Sequence, residues 1–224
     1  MFNKAWELLA DAPRWTAPDG HWARIMEHLA ISGVAMLIAL LIAVPIGLWI
    51  GHTGRGGSVV VALSGVLRAV PSLGLLTVLA LMLPGGTSDG LVPSLVVLVI
   101  LAVPPILAGV YSGMRAIPRY VVDGACAVGH SEGQILRMVE VPLSASSIVD
   151  GIRSAALQVV ATTTICAYLG TGGLGRYLID GLALSDYPVV IAGAVLVIGL
   201  IVVLEAVLSV VSRVVAPAPV ALRQ

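Results

Sequence analysis

Five long apolar runs constrain the fold of this chain more than any other feature of its sequence. They occupy residues 25–50, 58–83, 91–114, 144–167 and 187–212. Each run reaches the ~20 residues that a helix needs to cross a hydrocarbon layer of ~30 Å. Because backbone N–H and C=O groups cannot be left unpaired in lipid, the runs are predicted to be helices. The sequence therefore predicts an all-α integral membrane protein with about five transmembrane helices.

The composition supports the same class of protein. Of the 224 residues, 58% are hydrophobic and 11% are charged, whereas an ordinary soluble domain carries about 25% charged residues. The formal net charge is +0, so no overall field would attract nucleic acid. The few charges must therefore act through their positions.

The chain divides into three segments around these runs. Residues 1–24 carry tryptophans among charges and prolines. Tryptophan favours the headgroup layer, so this N-terminal segment is predicted to lie on the membrane surface. Residues 25–214 are predicted to form one transmembrane domain, which includes a polar loop at 115–143, and residues 215–224 form a C-terminal tail.

Lysine and arginine predict the orientation. An odd number of spans puts the two termini on opposite sides, and the side richer in Lys and Arg is normally the cytoplasmic one. One side would hold Arg55, Arg115, Arg119, Arg137, Arg153, Arg213 and Arg223, and the other Lys4, Arg14, Arg24 and Arg176. The first side is therefore assigned to the cytoplasm, which places the N-terminus outside and the C-terminus inside.

The longest charged and turn-rich interval, Arg115–Pro142, lies between two apolar runs on the predicted cytoplasmic side. Pro118 stops the preceding helix and can start a new one, because the first turn of a helix does not use its missing N–H. A short helix is expected over Asp123–Gly133, and its small residues would let another protein approach the backbone closely. Such a helix suits insertion into a groove on a soluble partner.

The same interval carries a recognisable pattern: Asp123-Gly124-Ala125, three residues, Gly129, nine residues, and Val139-Glu140-Val141-Pro142. It resembles the cytoplasmic loop of permeases of binding-protein-dependent ABC importers, which has the form Glu-Ala-Ala, three residues, Gly, nine residues, Ile-x-Leu-Pro. The spacing matches throughout, with Asp for Glu, Gly for Ala, and Val for both Ile and Leu. The resemblance implies that the ATPase-coupling residues are Asp123, Gly124, Ala125, Gly129, His130, Val139, Val141 and Pro142.

Further segments are similar to the methionine-permease-like branch of that superfamily. Arg68–Ser72 resembles its Arg-x-x-Pro element, and Gly170–Gly175 resembles its Gly-x-Gly-Gly-Leu-Gly turn. With the turn at Ile50–Arg55, the chain resembles osmoprotectant permeases most, which import glycine betaine, choline or carnitine. The resemblance covers nearly the whole chain, Ile25–Ser212. It implies the methionine-permease-like fold, with a five-helix core and a short cytoplasmic coupling helix, in the bacterial cytoplasmic membrane.

The resemblance also implies the partners. These are a second permease subunit, identical or homologous, two ATPase subunits and an extracytoplasmic substrate-binding protein. The permease subunits also contact the lipid bilayer. The chain has no Gly-x-x-x-x-Gly-Lys-Ser/Thr sequence, so ATP and Mg²⁺ are expected on the ATPase and no cofactor or enzymatic activity on this chain. The alternatives are a permease for an amino acid such as methionine, or an ATP-independent secondary transporter or channel. The last would usually carry more paired intramembrane charges or an inverted repeat.

Two sets of residues are candidates for the pathway or gate. Arg68 lies within the second run near Pro71, and it is either a gate residue or a packing arginine that caps carbonyls freed by the proline. Ser154, Gln158 and Thr162 recur every four residues in the fourth run. Their shared face either joins helices or lines a path.

The glycine turn after the fourth run is predicted to be an external loop, flexible or tightly turned, near the substrate entrance. Its glycines also match a dinucleotide fingerprint, but that fingerprint requires a preceding strand. The four histidines are scattered, so metal binding is not expected. At 4% aromatic residues an aromatic cage for a quaternary ammonium group is expected on the binding protein instead. The loop glycines are Gly170, Gly172, Gly173 and Gly175.

Overall fold

The computed structural model describes residues 1–215, and it describes their side chains except at positions 61, 63, 64, 68, 214 and 215. Every regular element in this part of the chain is a helix. The elements are α1 (Phe2–Ala10), α2 (Ala12–Thr16), α3 (His21–Thr53), α4 (Gly57–Ala69), α5 (Ser72–Met82), α6 (Leu91–Arg115), α7 (Arg119–Ala127), α8 (Glu132–Ile135), a π-helical turn (Leu136–Glu140), α9 (Val141–Cys166), a 3₁₀ turn (Ala167–Leu169), α10 (Gly175–Ala183) and α11 (Tyr187–Val215).

Four of these helices, α3, α6, α9 and α11, are long and apolar enough to cross a membrane, and α4 with α5 make a fifth span if they are counted as one. The predicted all-α membrane fold is therefore confirmed. The helices run a few residues beyond the apolar runs, since α3 begins at His21 and ends at Thr53. Of the predicted C-terminal tail, residues 216–224 lie outside the described part of the chain.

Helix α6 is the centre of the bundle and packs against α3 on one side and α9 on the other. Small residues make the close approach to α9 possible. A Cβ atom added to Gly109 would lie 2.6 Å from the Cα atom of Gly151. Membrane helices lack a hydrophobic force that drives them together, so such close van der Waals packing holds them instead. The buried residues of this core include Ala35, Ala39, Ala43, Leu98, Ala102, Ile106, Val110, Ala155 and Val159.

The second apolar run does not form one continuous helix, and in this respect the prediction of one helix over 58–83 is wrong, although α4 and α5 together remain a candidate span. It is divided into α4 and α5, whose axes (57–67 and 72–82) meet at 95°. The break lies at Val70 and Pro71, which are both extended, with ψ of 125° and 114°. Proline has no N–H to donate and its ring pushes the preceding residue out of the helical region. The bend therefore follows from Pro71.

The predicted helix over Asp123–Gly133 is also interrupted. Helix α7 ends at Ala127, and Gly129 has φ +91°, a left-handed conformation that favours glycine. Ser131 then begins α8, where its backbone N–H donates to Gln134 Oε1 at 2.8 Å. This capping bond is a helix-starting signal, so the interval contains two short helices rather than one.

The N-terminal segment packs on the end of the bundle that carries the turns on either side of α10. The Trp15 indole N–H donates to the Leu9 carbonyl at 2.8 Å, and His21 Nδ1 lies 2.8 Å from the Tyr177 hydroxyl. Burial raises the pKa of the Tyr177 phenol above its usual range, which favours the neutral form that can donate. Phe2 and Trp6 remain exposed, as expected of a segment that dips into the membrane surface.

Candidate coupling surface and translocation cavity

Helix α7 presents a bare surface at the opposite end of the bundle. None of its residues is buried. A Cβ atom added to Gly124, Gly129 or Gly133 would meet no described atom within 4 Å. Packing inside this chain therefore does not require small residues at these positions. The open space is on the outside, where another molecule would come close to the backbone.

The predicted coupling residues fall into two groups. Asp123, Gly124, Gly129 and His130 are exposed on α7 and the turn after it, and Ala125 is half-buried. Val139 lies in the π-helical turn, while Val141 and Pro142 begin α9. The first group forms one exposed surface, and the second group connects that surface to the membrane-spanning part of α9. Exposed Val128 adds an apolar side chain to the surface, 74% accessible.

A polar contact that sequence analysis missed fixes this loop to the first long helix. His52, in the last turn of α3, has its Nδ1 atom 2.5 Å from Glu140 Oε2 and its Nε2 atom 3.3 Å from Glu132 Oε2. Glu140 is only 6% exposed. In the sequence His52 is one of four scattered histidines. It lies 88 residues from Glu140, so no local spacing predicts that the two meet.

The bend between α4 and α5 opens a cavity of about 430 Å³ against α6 and α9. The three residues of the predicted polar face line it together. Gln158 also donates from Nε2 to the Leu101 carbonyl, a long bond of 3.4 Å. Of the predicted gate pair, the side chain of Arg68 lies outside the described part, and Pro71 forms the bend itself. The lining residues are Leu67, Val70, Ser72, Leu101, Pro105, Ser154, Gln158 and Thr162.

The polar face of α9 extends further than predicted. An exposed stripe along this helix contains Ser146, Asp150, Ser154, Gln158 and Ala161, spaced three or four residues apart. Asp150 was missed, although its position four residues before Ser154 within a predicted span was a usable signal. An ionisable group inside a span is costly in lipid and normally faces protein or water. Lipid alone therefore cannot supply polar partners for the side chains of this stripe.

The glycine loop at the other end is tightly turned rather than flexible. The Gly173 N–H donates to Glu27 Oε2 at 2.7 Å, and Arg24 Nη1 donates to the same oxygen at 3.0 Å. Gly173 has φ +90°, and a Cβ atom on it would lie 3.2 Å from His28 Nδ1. A side chain at Gly172 would collide with the Glu27 carboxylate. The loop is thus held against the beginning of α3, and Glu27 is a second partner that sequence analysis missed.

The remaining loop glycines differ in role. Gly170 ends the 3₁₀ turn with φ +81° and has open space around it. Gly175 begins α10, where a side chain would collide with the Thr164 carbonyl. All four predicted glycines therefore lie in one compact turn between α9 and α10, on the end of the bundle that also carries the N-terminal segment.

One ion pair joins α9 to α11. The Arg153 guanidinium donates to both carboxylate oxygens of Glu205, from Nε to Oε2 at 2.9 Å and from Nη2 to Oε1. Such a two-bond pair fixes orientation as well as distance. Glu205 lies inside the fifth apolar run and is thus paired with a residue of another span.

The family model for the binding-protein-dependent transport system inner membrane component matches residues 43–217. The chain belongs to this family. The predicted ABC importer permease is thereby confirmed as the class of protein, and the chain is a transport subunit of the inner membrane rather than an enzyme. The match includes α7 and the pattern around Gly129 on which the resemblance was based.

Known relatives agree with this assignment. The chain is 32% identical to the choline transport system permease protein OpuBB of Bacillus subtilis, with 86% of this chain and 87% of that protein covered. It is 33% identical to the carnitine transport permease protein OpuCB of Listeria monocytogenes, with 80% of each covered. The resemblance to osmoprotectant permeases is therefore confirmed at the level of sequence.

The fold is similar to that of a solved transporter. The inward-facing MetNI methionine ABC transporter superimposes with a TM-score of 0.75 at 24% identity, and the match covers 87% of this chain and 95% of that one. The predicted methionine-permease-like fold is confirmed by this likeness.

Proposed function

We propose that this chain is the membrane-spanning subunit of an ABC importer for osmoprotectants that carry a quaternary ammonium group, such as glycine betaine, choline or carnitine. The substrate class rests on the relatives that are named for choline and carnitine transport. For such substrates the cation cage is expected on another subunit, because this chain offers few aromatic side chains to build one. Selection is then made by an extracytoplasmic binding protein, and this subunit supplies the passage.

The exposed surface of α7 docks into a groove on a separate ATPase subunit, which binds ATP and Mg²⁺. The single observation that carries this assignment is the bare surface at Gly124 and Gly129, around which the described chain leaves open space. A short helix that lies in a groove is a common mode of recognition. The end of the bundle that carries α7 is cytoplasmic, and the N-terminal segment with the glycine loop is extracytoplasmic, as the Lys and Arg distribution favours.

A second permease subunit, identical or homologous, faces the polar stripe of α9. Lipid would offer no polar partner to Asp150, and it would leave Gln158 with only its long bond to the Leu101 carbonyl, which is costly. A facing subunit, with water between the two, would satisfy these groups and enclose the cavity at Ser154 and Thr162. The cavity would then lie on the path of the substrate, and the bend at Pro71 would form part of its wall.

Transport then follows from two global states of the complex. ATP binding closes the two ATPase subunits and draws the two docked α7 helices together. The spans move as a consequence, and access to the cavity alternates between the two sides of the membrane. This cycle requires that the outward-open and inward-open states differ in their affinity for the closed ATPase dimer.

The test is reconstitution of the chain with its partner permease, ATPase and binding protein in liposomes. Labelled glycine betaine, choline, carnitine and methionine are offered in turn, with and without ATP. We expect ATP-dependent uptake of at least one of the first three and no uptake of methionine. Uptake of methionine alone would identify an amino acid permease, and uptake without ATP would identify a secondary transporter.

A further inference from the structure

His52 lies where the first long helix meets the segment that follows α7. Its two ring nitrogens face two carboxylates from different parts of that segment, Glu132 at the start of α8 and Glu140 at the end of the π-helical turn. Only the contact with Glu140 has the geometry of a hydrogen bond, and Glu132 is the more distant of the two carboxylates. His52 therefore joins the end of α3 to the segment that follows α7 mainly through Glu140.

The π-helical turn is what brings Glu140 into this contact. Successive side chains of an α-helix are rotated by about 100° around its axis. One extra residue in a turn therefore changes the directions of the side chains before the turn relative to those after it. The turn at Leu136–Glu140 lies between α8 and α9, and π-helical turns of this kind are frequent at functional sites. Here Glu140 points inward, is almost fully buried and reaches Nδ1 of His52.

The two spans near α7 are therefore connected to it in different ways. Helix α9 continues directly from α8 through the π-helical turn, so it follows α7 through the backbone. Helix α3 is distant in sequence and joins the same segment through the side chain of His52. Leu136 of this segment also packs against the apolar core that contains Ile50 of α3, and His52 adds a polar contact that fixes the position of Glu140.

We propose that His52 is a positioning residue that carries the displacement of α7 into α3 during transport. This inference rests on the proposed docking of α7 with an ATPase. The contact stays closed through the cycle, so that α3 and the segment from Glu132 to Glu140 move together. Without it α9 would still respond to ATP, whereas α3 would lag behind, and ATP hydrolysis would no longer produce transport efficiently.

The first test is the variant His52→Gln, whose amide can reach one carboxylate but carries no charge. In the reconstituted importer we expect the ATPase to remain associated and to hydrolyse ATP, with transport per ATP reduced about tenfold, the factor that corresponds to one charge-assisted hydrogen bond. Glu140→Gln should uncouple similarly and Glu132→Gln less, because Glu132 is exposed and more distant. Trp49→Phe, a change on the exposed side of α3 one turn earlier, is the control that should leave coupling unchanged.

Normal transport per ATP in His52→Gln would overturn the inference, and so would loss of ATPase association, since that result would make His52 a residue for folding or docking. Failure of the docking proposal appears differently. In that case Gly124→Arg would leave ATPase association intact, whatever the His52 variants do.

A second test compares one variant before and after chemical linkage, so it does not rely on how the single substitutions affect folding. His52→Cys and Glu140→Cys are combined in a Cys126→Ser background, because Cys126 is exposed whereas Cys166 is buried. Before linkage we expect uncoupled ATP hydrolysis, and after linkage by a short bifunctional thiol reagent we expect transport to recover. Full coupling before linkage, or persistent uncoupling after complete linkage, would contradict a contact that stays closed.

Discussion

The exposed faces of α11 and α9 differ in polarity, although the two helices are similar in length. On α11 the exposed side chains between Val195 and Val211 are apolar, as at Val202, which is 61% accessible. On α9 the exposed stripe contains Asp150 and Gln158. Both faces are exposed in the described part of the chain, but lipid can cover only the first without leaving polar groups unpaired. The exposed face of α11 is therefore suited to contact lipid, whereas the exposed stripe of α9 is suited to contact water or another protein.

The largest effect is expected from a charge on the exposed apolar face of α11, called the lipid face below. Val202→Asp should reduce the amount of folded protein in membranes, because a carboxylate within a span costs about 2.5–3.5 kcal/mol. Ser154→Asp places the same group on the polar stripe of α9 and should be tolerated in folding. The measurement is the folded fraction after detergent extraction, with Val202→Ala as the control for lost volume. Equal losses from both aspartates would remove the distinction between the two faces.

The ion pair that joins the two helices should give the next largest effect. Arg153→Met leaves Glu205, whose side chain is 37% exposed within a span, without its partner, and we expect a loss of about 2 kcal/mol in stability because an unpaired charge is costly in lipid. Combining it with Glu205→Met should recover most of the loss, since an apolar pair needs no partner. Thermal unfolding in detergent measures both variants. A double variant no more stable than Arg153→Met would show that the pair does not hold α9 to α11.

Gln158→Leu tests the function of the polar stripe itself. The substitution makes the cavity wall apolar and should reduce transport by up to about tenfold, the factor that corresponds to one hydrogen bond to a passing substrate or water. Its folded fraction should change little, because the bond to the Leu101 carbonyl is long. Uptake in liposomes is compared with that of Val202→Leu on the lipid face, which should transport normally. Undiminished uptake by Gln158→Leu would argue that the stripe only joins helices.

The smallest effect concerns charge at Asp150. Asp150→Asn keeps the polarity of the stripe but removes its carboxylate. We expect choline uptake to fall about threefold relative to glycine betaine uptake, because one exposed charge contact contributes ~0.2–1 kcal/mol and choline has no carboxylate of its own. Competition between the two labelled substrates measures the ratio. An unchanged ratio would show that substrate does not pass near Asp150.

The parts of the fold that could be predicted from sequence depend on local signals. Span length and the lipid environment predicted α3, α6, α9 and α11, and Pro118 with the small residues that follow it predicted a short helix outside the spans. The bend at Pro71 was also within reach, because proline restricts the residue before it. It was missed because the apolar run continues through the proline without interruption, and hydrophobicity alone suggests one span.

The contacts that sequence could not supply are those between distant residues. His52 and Glu140 are separated by 88 positions, and Glu27 and Gly173 by 146. Each pair is brought together by the packing of α3 against the rest of the bundle, which no local periodicity encodes. Asp150 is an intermediate case, since its spacing from Ser154 was visible but its exposure depends on which face the other helices leave uncovered.

The central claim is that the bare surface of α7 binds the ATPase, and co-purification of the two proteins tests it most directly. Gly124→Arg adds a large side chain at a helical position where no described atom lies within 4 Å, so it should leave the fold intact. Gly124→Ala is the matched control, and it should bind normally because alanine is the residue of the family pattern and a better helix former by about 1 kcal/mol. The account predicts that Gly124→Arg loses the ATPase while Gly124→Ala retains it. Equal binding by both variants would contradict the account.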